Sequence, residues 1–189
     1  TIIDAANPVV IVAASDIDLL GIEIEKVDST EAIKDRLESI RCATSVAIGL
    51  TETMQEATQK SQAVPKIAFV SPPQSYLTIG NRPVQADDMD LTIRIMSMGT
   101  LHRSVAVSGA IAAAGAAMIE GTVAFNLRRK QAIEGEFIHL GHPGGTIDVG
   151  AKIEKRNDAP VYVEAALGRT ARRLMEGYVL VPEKHFRPL

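Results

Sequence analysis

The chain is poor in cysteine, and that shortage excludes several kinds of chemistry. Only one of its 189 residues, Cys42, is a cysteine. Neither an intrachain disulfide framework nor an acid–base pair of two cysteines can therefore form within it. A single thiol is compatible with a reducing cytoplasm, which is the predicted location. Because Cys42 falls near the apolar stripe of a predicted helix, we interpret it as a buried, unreactive thiol.

An excess of charge of either sign is also missing. The chain has 20 Lys and Arg against 23 Asp and Glu, which gives a formal net charge of -3 at pH 7. Its densest basic cluster, Arg128–Arg129–Lys130, lies beside acidic residues in a predicted loop. Since nucleic-acid binding needs a basic surface that neutralises phosphates, no nucleic-acid partner is predicted.

Long apolar runs and several well-known motifs are absent too. The longest uncharged stretch, residues 104–119, is shorter than the roughly 20 residues that span a bilayer, so no membrane association is predicted. The first residues lack the basic and apolar regions of a signal peptide, and none is expected.

Hydrolase and kinase functions have no support, because a Gly-x-Ser-x-Gly motif, a phosphate loop and a dinucleotide fingerprint are missing. His139 and His142 are close in sequence, but nothing completes a metal site with them, and no metal is predicted. His139 and His185 are interpreted as structural or exposed.

What the chain does contain is the composition of a globular protein, with 46% hydrophobic and 23% charged residues. No repeat or linker divides it, so residues 1–189 are predicted to form a single domain. Helical periodicity predicts an amphipathic helix at residues 29–54, with Asp28 and Glu31 in the spacing of a capping box. Residues 101–119 are almost all small or apolar, so they predict a helix that must be enclosed on every side.

Strand patterns occupy most of the remaining chain. The run Val9–Val12 is typical of a strand covered on both faces, and residues 90–96 alternate like a half-buried strand. Further strands are predicted at residues 2–14, 66–70, 122–126, 136–140, 146–153, 161–167 and 172–181. The sequence therefore predicts an α+β fold in which a curved sheet surrounds one buried helix.

One candidate site is the stretch Ser97–Met98–Gly99, which is followed by His102, Arg103 and, in the predicted helix, Ser108–Gly109. A glycine turn before a buried helix exposes unpaired N–H groups and the positive end of the helix dipole, which favours a carboxylate or phosphate. His102 and Arg103 add to that bias. Alternatively, Thr100 only caps the helix and His102 only fills a gap, and the pattern alone does not decide between the two.

Two other segments could contact a ligand. The stretch Gly141–His142–Pro143–Gly144–Gly145 joins two predicted strands, and its glycines would let a ligand approach the backbone while His142 donates a hydrogen bond or carries a proton. A plain hairpin turn needs the same glycines, and the pattern alone favours that interpretation. Asn7, before Pro8, offers a neutral amide that could orient a carboxylate, although an Asx turn is the simpler explanation.

Six segments, in order and over almost the whole chain, closely resemble the second half of proteins of the PrpF family. They are IDAANPVV at residues 3–10, PKIAFVSPP at 65–73, MSMG with His-Arg at 96–103, SGA at 108–110, GHPGG at 141–145 and RTARRLMEG at 169–177. This family includes 2-methylaconitate cis-trans isomerase and 4-oxalomesaconate tautomerase, and it is similar in fold to diaminopimelate epimerase.

The resemblance implies a carboxy-terminal domain with a curved, mostly antiparallel sheet around a buried central helix. In the family, two such domains hold the active site in the cleft between them. The implied activity is a cofactor-independent isomerase that moves a proton along the allylic system of a small unsaturated polycarboxylate. The implied partners are that substrate and a first domain, from the same protein or a partner chain, with a homodimer as a further option.

Carried over to this sequence, the resemblance implies one assisting catalytic residue and eight substrate contacts. The assisting residue is His102, and the contacts are Asn7, Ser97, Met98, Gly99, Ser108, Gly109, His142 and Gly144. The family's lysine and its Ser-Gly-Asn-Cys-Gly-like motif have no counterpart here, so the main base is expected in a missing domain and the enzyme is expected to be incomplete. The cysteine of epimerase relatives corresponds to about Ala106, which argues against amino-acid racemisation. The alternative to an isomerase domain is a non-catalytic fragment or a carboxylate-binding scaffold.

Overall fold

The computed structural model describes residues 1–130, 137–157, 159–168 and 171–183. Its strands are β1 (Ile2–Asp4), β2 (Pro8–Ala13), β3 (Lys66–Ser71), β4 (Tyr76–Leu77), β5 (Pro83–Val84), β6 (Leu91–Ser97), β7 (Thr100–Leu101), β8 (Phe137–His142), β9 (Gly145–Arg156) and β10 (Ala159–Leu167). Its α-helices are α1 (Glu25–Ser29), α2 (Glu31–Ala47), α3 (Met54–Lys60), α4 (Val107–Met118) and α5 (Val123–Leu127). Within the described ranges, none of these helices is long and apolar enough to cross a membrane.

Most strands belong to one sheet, in which β1, β2, β3, β6, β8, β9 and β10 lie side by side in that order and β7 pairs with β6. Neighbouring strands run antiparallel, except for β2 beside β3 and β6 beside β8. Strands β4 and β5 form a separate antiparallel pair. The mostly antiparallel sheet that the resemblance implies is confirmed.

Helix α4 is the centre of the fold. It contacts β1 and β2 at one side of the sheet and β8, β9 and β10 at the other. One helix can touch both edge strands only if the sheet curves around it, so the predicted α+β fold with a curved sheet and a buried central helix is confirmed. The buried residues of α4 are Gly109, Ala110, Ala112, Ala113, Ala114, Gly115, Ala116 and Ala117. Because these side chains are so small, the strands approach the helix closely.

A second layer covers the opposite face of the central strands. Val27 of α1 and Leu37 of α2 pack against Val10, Ile67 and Phe69 of β2 and β3. Alternate residues of the same strands face α4 and form the inner core. Strand β2 is therefore covered on both faces, as its continuous apolar run predicts.

Strand β6 is more deeply buried than its alternating sequence predicts. Thr92 and Arg94, on the face predicted to meet solvent, are both 0% exposed. The ring of Tyr76 and the backbone of Ile22 and Glu23 cover Arg94 and provide its polar partners. The prediction of a half-buried strand is wrong, because the chain before α1 folds over a face that looks polar in sequence.

The helix predicted at residues 29–54 is interrupted twice. It is divided among the end of α1, the whole of α2 and the start of α3, and Gly49, with φ of 73°, lies in the second break. The capping box predicted for Asp28 and Glu31 does not form. The N-cap residue of α2 is Thr30, and its side chain accepts no hydrogen bond from the first turn of the helix. Asp28 instead accepts a hydrogen bond from the N–H of Leu101 at 2.7 Å, which ties α1 to β7.

Cys42 of α2 belongs to a polar cluster between α2 and α3. The residue is buried, as predicted, and its Sγ lies 3.2 Å from both Glu38 Oε1 and Thr58 Oγ1. Arg41 forms an ion pair with Glu38 at 2.6 Å in the same cluster. Burial raises the pKa of the Cys42 thiol, so the thiol stays protonated at neutral pH.

Two strands predicted after the central helix do not form. Residues 122–126 start α5, because the Thr122 hydroxyl accepts a hydrogen bond from the N–H of Phe125 at 3.1 Å and caps a helix. Residues 172–181 form no strand, because no described part of the chain pairs with them. Glu136, residues 169–170 and His185 lie outside the described residues.

Replacement of Gly115 by alanine tests how tightly the sheet encloses α4. An added Cβ would collide with the ring of Tyr162, which is held by a hydrogen bond from its hydroxyl to the Ile111 carbonyl at 3.2 Å. Alanine normally stabilises a helix interior by about 1 kcal/mol over glycine. Here we expect Gly115→Ala to lower the free energy of unfolding by about 1–3 kcal/mol, measured by urea denaturation.

The matched control is Gly80→Ala, whose added Cβ approaches only Thr78 Oγ1 at 3.9 Å. It should leave the free energy of unfolding unchanged. A Gly115→Ala variant as stable as the parent would contradict close packing between α4 and β10.

Candidate functional site

Three of the four segments singled out in the sequence lie toward one end of the sheet. Strand β2 begins beside the start of β3, and β6, which is antiparallel to β3, ends there at Ser97. Helix α4 starts near this end, because Gly109 in its first turn packs against Ile95 of β6. Strand β8 runs parallel to β6, but Leu140 pairs with Leu91 and Gly141 with Thr92, so the Gly141–Gly145 turn leaves the sheet beside the first half of β6.

Met98 and Gly99 form the tip of a tight hairpin between β6 and β7. Their φ angles are 48° and 81°, and Ser97 pairs with Thr100, so the connection is a two-residue turn with both residues left-handed. The prediction that this glycine turn leads directly into the central helix is wrong, since α4 begins only at Val107. The tip borders an open groove of about 240 Å³, whose other lining residues are Glu31, Lys34, Asp35, Glu38, Thr58 and Gln62.

The start of α4 lacks a side-chain cap. The N-cap residue Ala106 has no side-chain oxygen that could accept from the first N–H groups of the helix. The first hydrogen bond into the helix is donated by Ala110 to the Ala106 carbonyl, so the N–H groups of Val107, Ser108 and Gly109 precede the helical ladder. Val107 is exposed, Ser108 is half-buried and Gly109 is buried. Free N–H groups at the positive end of a helix favour an anion.

His102 lies between β7 and α4, against the Gly141–Gly145 turn. Its N–H donates to the Ile95 carbonyl at 2.9 Å, and its Nδ1 accepts from the N–H of Ser104 at 3.1 Å. The Ser104 hydroxyl lies 3.4 Å from His142 Nδ1. His102 and His142 are therefore brought together, with Ser104 between them.

His142 is a buried, neutral histidine. It is 7% exposed, and its Nδ1 accepts a hydrogen bond from the N–H of Gly144 at 3.1 Å. Burial, followed by the positive charge of Arg94, lowers the pKa of His142 to about 4. At pH 7 this imidazole is uncharged, and its hydrogen bonds with the backbone of Gly144 and Thr146 hold it in the turn.

The remaining predicted residues lie farther from this pair of histidines. Asn7 sits in the bend between β1 and β2, and β3 separates it from β6 in the sheet. Arg103 points toward α1, with its Nη2 3.9 Å from Asp28 Oδ2. The structure therefore places Asn7 apart from the histidines, with no hydrogen bond to them among the described residues.

Sequence reasoning missed three residues that support the site: Ser104, Tyr76 and Arg94. The Tyr76 hydroxyl donates to the carbonyls of His142 and Gly145 at 2.7 and 2.8 Å. Arg94 lies over the Tyr76 ring, 4.7 Å from its centroid. No sequence signal marks Arg94, because its strand alternates as if this side chain faced water.

The lowered pKa of His142 predicts a pH dependence of stability. The unfolded state, with a histidine pKa near 6.5, binds more protons than the folded state, in which the pKa is about 4. The neutral imidazole therefore contributes fully above pH 6.5, and its contribution of roughly 3 kcal/mol is lost as the pH falls toward 4. We expect His142→Gln to lose that much less stability than the parent between pH 7 and pH 4, measured by urea unfolding at each pH.

Gly80→Ala is the control, because it changes no titrating group and its added Cβ approaches only Thr78 Oγ1 at 3.9 Å. It should keep the pH dependence of the parent. Equal pH dependence in the His142→Gln variant and the parent would contradict a buried neutral His142.

Comparison with known proteins gives a consistent family. A family model described as PrpF protein matches residues 1–182. The chain is 38% identical to the 2-methyl-aconitate isomerase of Shewanella oneidensis, covering 97% of this chain and 46% of that protein. It is 39% identical to the 3-methylitaconate isomerase of Eubacterium barkeri, covering 96% of this chain and 47% of that protein.

A solved structure agrees with these sequence matches. The crystal structure of a methylitaconate-delta-isomerase superposes with a TM-score of 0.83 at 36% identity, over 95% of this chain and 46% of that one. The chain thus spans about half the length of the curated relatives that it matches. Since the family model covers nearly the whole sequence, the chain belongs to the PrpF family.

Proposed function

We propose that this chain is an isomerase domain that acts, without a cofactor, on a small unsaturated polycarboxylate such as 2-methylaconitate or 4-oxalomesaconate. The observation that carries the proposal is the uncapped start of α4, preceded by His102 and Ser104, with Ser104 3.4 Å from His142 of the Gly141–Gly145 turn. Relatives that are isomerases of 2-methylaconitate and 3-methylitaconate support the substrate class.

The proposed reaction moves one proton along an allylic system. A base removes a proton from the carbon next to the double bond, the double bond shifts, and a proton returns to the far carbon, so no oxidant or reductant is needed. Negative charge spreads onto a carboxylate or carbonyl oxygen as the proton leaves. The N–H groups at Val107, Ser108 and Gly109 are placed to stabilise that charge, and loss of one such donor typically costs about 10²-fold or more in rate.

Within this scheme the histidines have different roles. His102 Nδ1 is occupied by the Ser104 N–H, so its Nε2 is the atom that would assist proton transfer. His142 stays neutral and would contact substrate, with Asn7, Ser97, Met98 and Gly144 as further contacts. The main base would come from the other domain of the active site.

The proposed partner is a first domain, from the same protein or from a second chain. Residues 174–181 support it, since their apolar side chains project into solvent: Leu174, Met175, Tyr178, Val179 and Leu180 are 80 to 100% exposed. An apolar surface of this kind is typical of a protein interface. Self-association into a homodimer through the same segment is the other arrangement to be tested.

A cytoplasmic location also remains a proposal, supported by the free thiol of Cys42.

A carboxylate-binding scaffold without turnover is the second candidate function, favoured by the absence of an exposed charged base at the described site. Deuterium incorporation separates the two functions. The chain is mixed in D₂O with the half of the Shewanella oneidensis relative that this chain does not match, and 2-methylaconitate is followed by NMR. Deuterium at the allylic carbon supports an isomerase, and binding without incorporation supports the scaffold.

Gly99→Val tests the assignment of the hairpin to the substrate site. Valine at φ of 81° should cost about 1–2 kcal/mol of stability, and its branched side chain would cover the hairpin tip. We expect binding of cis-aconitate, measured by calorimetry, to weaken at least about tenfold.

Gly49→Val is a closely matched control. Gly49 has φ of 73°, and an added Cβ meets nothing within 4 Å, as at Gly99. Both variants should therefore lose similar stability, and only Gly99→Val should lose affinity. Equal affinity in both variants would remove the hairpin from the site.

Leu174→Ser with Leu180→Ser tests the partner surface. Burial of one leucine contributes about 2 kcal/mol, so the double variant should bind the unmatched half of the Shewanella oneidensis relative at least about tenfold more weakly, measured by sedimentation. Leu20→Ser with Leu50→Ser is the control, since these leucines are 64% and 47% exposed elsewhere. If both double variants bind alike, the segment is not the interface. Sedimentation of the parent alone reports a homodimer.

A further inference from the structure

The carbonyl oxygens of the Gly141–Gly145 turn are all held by donors that lie outside the turn. Arg94 Nη1 donates to Gly141 at 3.4 Å, Tyr76 to His142 and Gly145, the N–H of Ile79 to Pro143 at 2.9 Å, and Arg82 Nη2 to Gly144 at 3.4 Å. The single hydroxyl proton of Tyr76 is shared between its two acceptors. Five consecutive carbonyls bonded from one side fix the path of the backbone before any ligand binds.

The packing behind the turn leaves no room for adjustment. Gly141 lies so close to Met89 that an added Cβ would collide with the thioether sulfur, and it would come within 3.2 Å of the Tyr76 hydroxyl. Tyr76 itself is 7% exposed, and burial raises the pKa of its hydroxyl, so it remains a donor. Tyr76 is therefore wedged between the turn and Arg94.

Arg94 is a buried cation with neutral partners. Its guanidinium donates to the carbonyls of Ile22, Glu23, Ile93 and Gly141 at 2.9 to 3.4 Å. No carboxylate among the described residues comes within ion-pair distance of it. The carboxylate oxygens of Glu23, whose backbone carbonyl binds Arg94, accept instead from the N–H groups of Leu20 and Gly21.

A buried charge of this kind is costly. Removing a cation from water without a paired anion carries a penalty of several kcal/mol. Carbonyl oxygens and an aromatic face offset part of the penalty but do not cancel the charge. The field of Arg94 therefore extends to its surroundings: burial is the main cause of the lowered pKa of His142, and the positive charge of Arg94 adds to it.

We propose that Arg94 and Tyr76 are positioning residues, which fix the Gly141–Gly145 turn from behind and, through Arg94, give it the positive charge that attracts a carboxylate of the ligand. The identity of the ligand rests on the proposed function. The fixing of the turn does not, since it follows from hydrogen bonds within the chain.

Three variants separate geometry from charge. Tyr76→Phe removes only the hydroxyl that holds two carbonyls of the turn. Arg94→Lys keeps the positive charge, but the lysine ammonium cannot donate to all four carbonyls that the guanidinium binds. Arg94→Gln removes the charge. Tyr162→Phe is the matched control, because the Tyr162 hydroxyl also donates to a backbone carbonyl, that of Ile111, away from the turn.

NMR of the 189-residue chain gives readouts that do not depend on activity. The chain has only 4 histidines, so the titration of His142 can be followed. We expect Tyr76→Phe and Arg94→Lys to shift the amide signals of residues 141–145, which Tyr162→Phe should leave in place. We expect Arg94→Gln to raise the pKa of His142, and Arg94→Lys to leave it lowered.

Binding of cis-aconitate gives the second readout. Tyr76→Phe and Arg94→Gln should each weaken it roughly tenfold or more, while Tyr162→Phe binds like the parent.

The proposal is overturned if Tyr76→Phe matches Tyr162→Phe in both amide signals and affinity, or if Arg94→Gln leaves the pKa of His142 unmoved. If the parent binds no polycarboxylate, the proposed function fails, whereas the amide signals and the histidine titration still decide whether the turn is positioned. If Arg94→Gln does not fold, Tyr76→Phe decides.

Discussion

The enclosure of α4 is the constraint on which the rest of the structure depends. The buried residues of α4 are all alanine or glycine, and the burial of so apolar a helix is favourable only if other elements surround it. The sheet meets this requirement by curving until β1 and β10, its two edge strands, both touch the helix. The small side chains set the distance of approach. The same packing holds the start of the helix against Ile95 of β6, so the constraint that forms the core also positions part of the candidate site.

Strand β6 shows how this architecture overrides a local pattern. Its alternation is that of a strand with one wet face, yet the segment before α1 and the ring of Tyr76 cover that face completely. Covering it buries Arg94, whose hydrogen bonds then need carbonyl oxygens from neighbouring backbone. The buried cation, Arg94, lies directly behind the Gly141–Gly145 turn and donates a hydrogen bond to the Gly141 carbonyl. The second layer thus connects the outer face of the sheet to the turn where a ligand would bind.

The sequence predicted the parts of the fold that periodicity controls and missed those that depend on contacts distant in sequence. The buried helix, the doubly covered β2 and the curved sheet follow from continuous apolar patterns. Residues 122–126 look like a strand, but one hydroxyl, that of Thr122, caps a helix there. Residues 172–181 look like a strand and have no described neighbour to pair with. Among site residues, His102 and His142 could be found because they sit beside glycine turns, whereas Arg94 could not, because its burial is decided by a segment some seventy residues away.

The electrostatics of the site determine what this chain can and cannot contribute to proton transfer. His142, with a pKa of about 4, carries no removable extra proton at neutral pH, and the Nδ1 atoms of both His102 and His142 already accept backbone hydrogen bonds. The N–H groups at the start of α4 and the cation behind the turn both favour negative charge. The described residues of the candidate site include no charged base. The chemistry proposed here therefore requires that the proton be taken by a group on the facing domain, while this domain holds the carboxylates and the charge that forms on them.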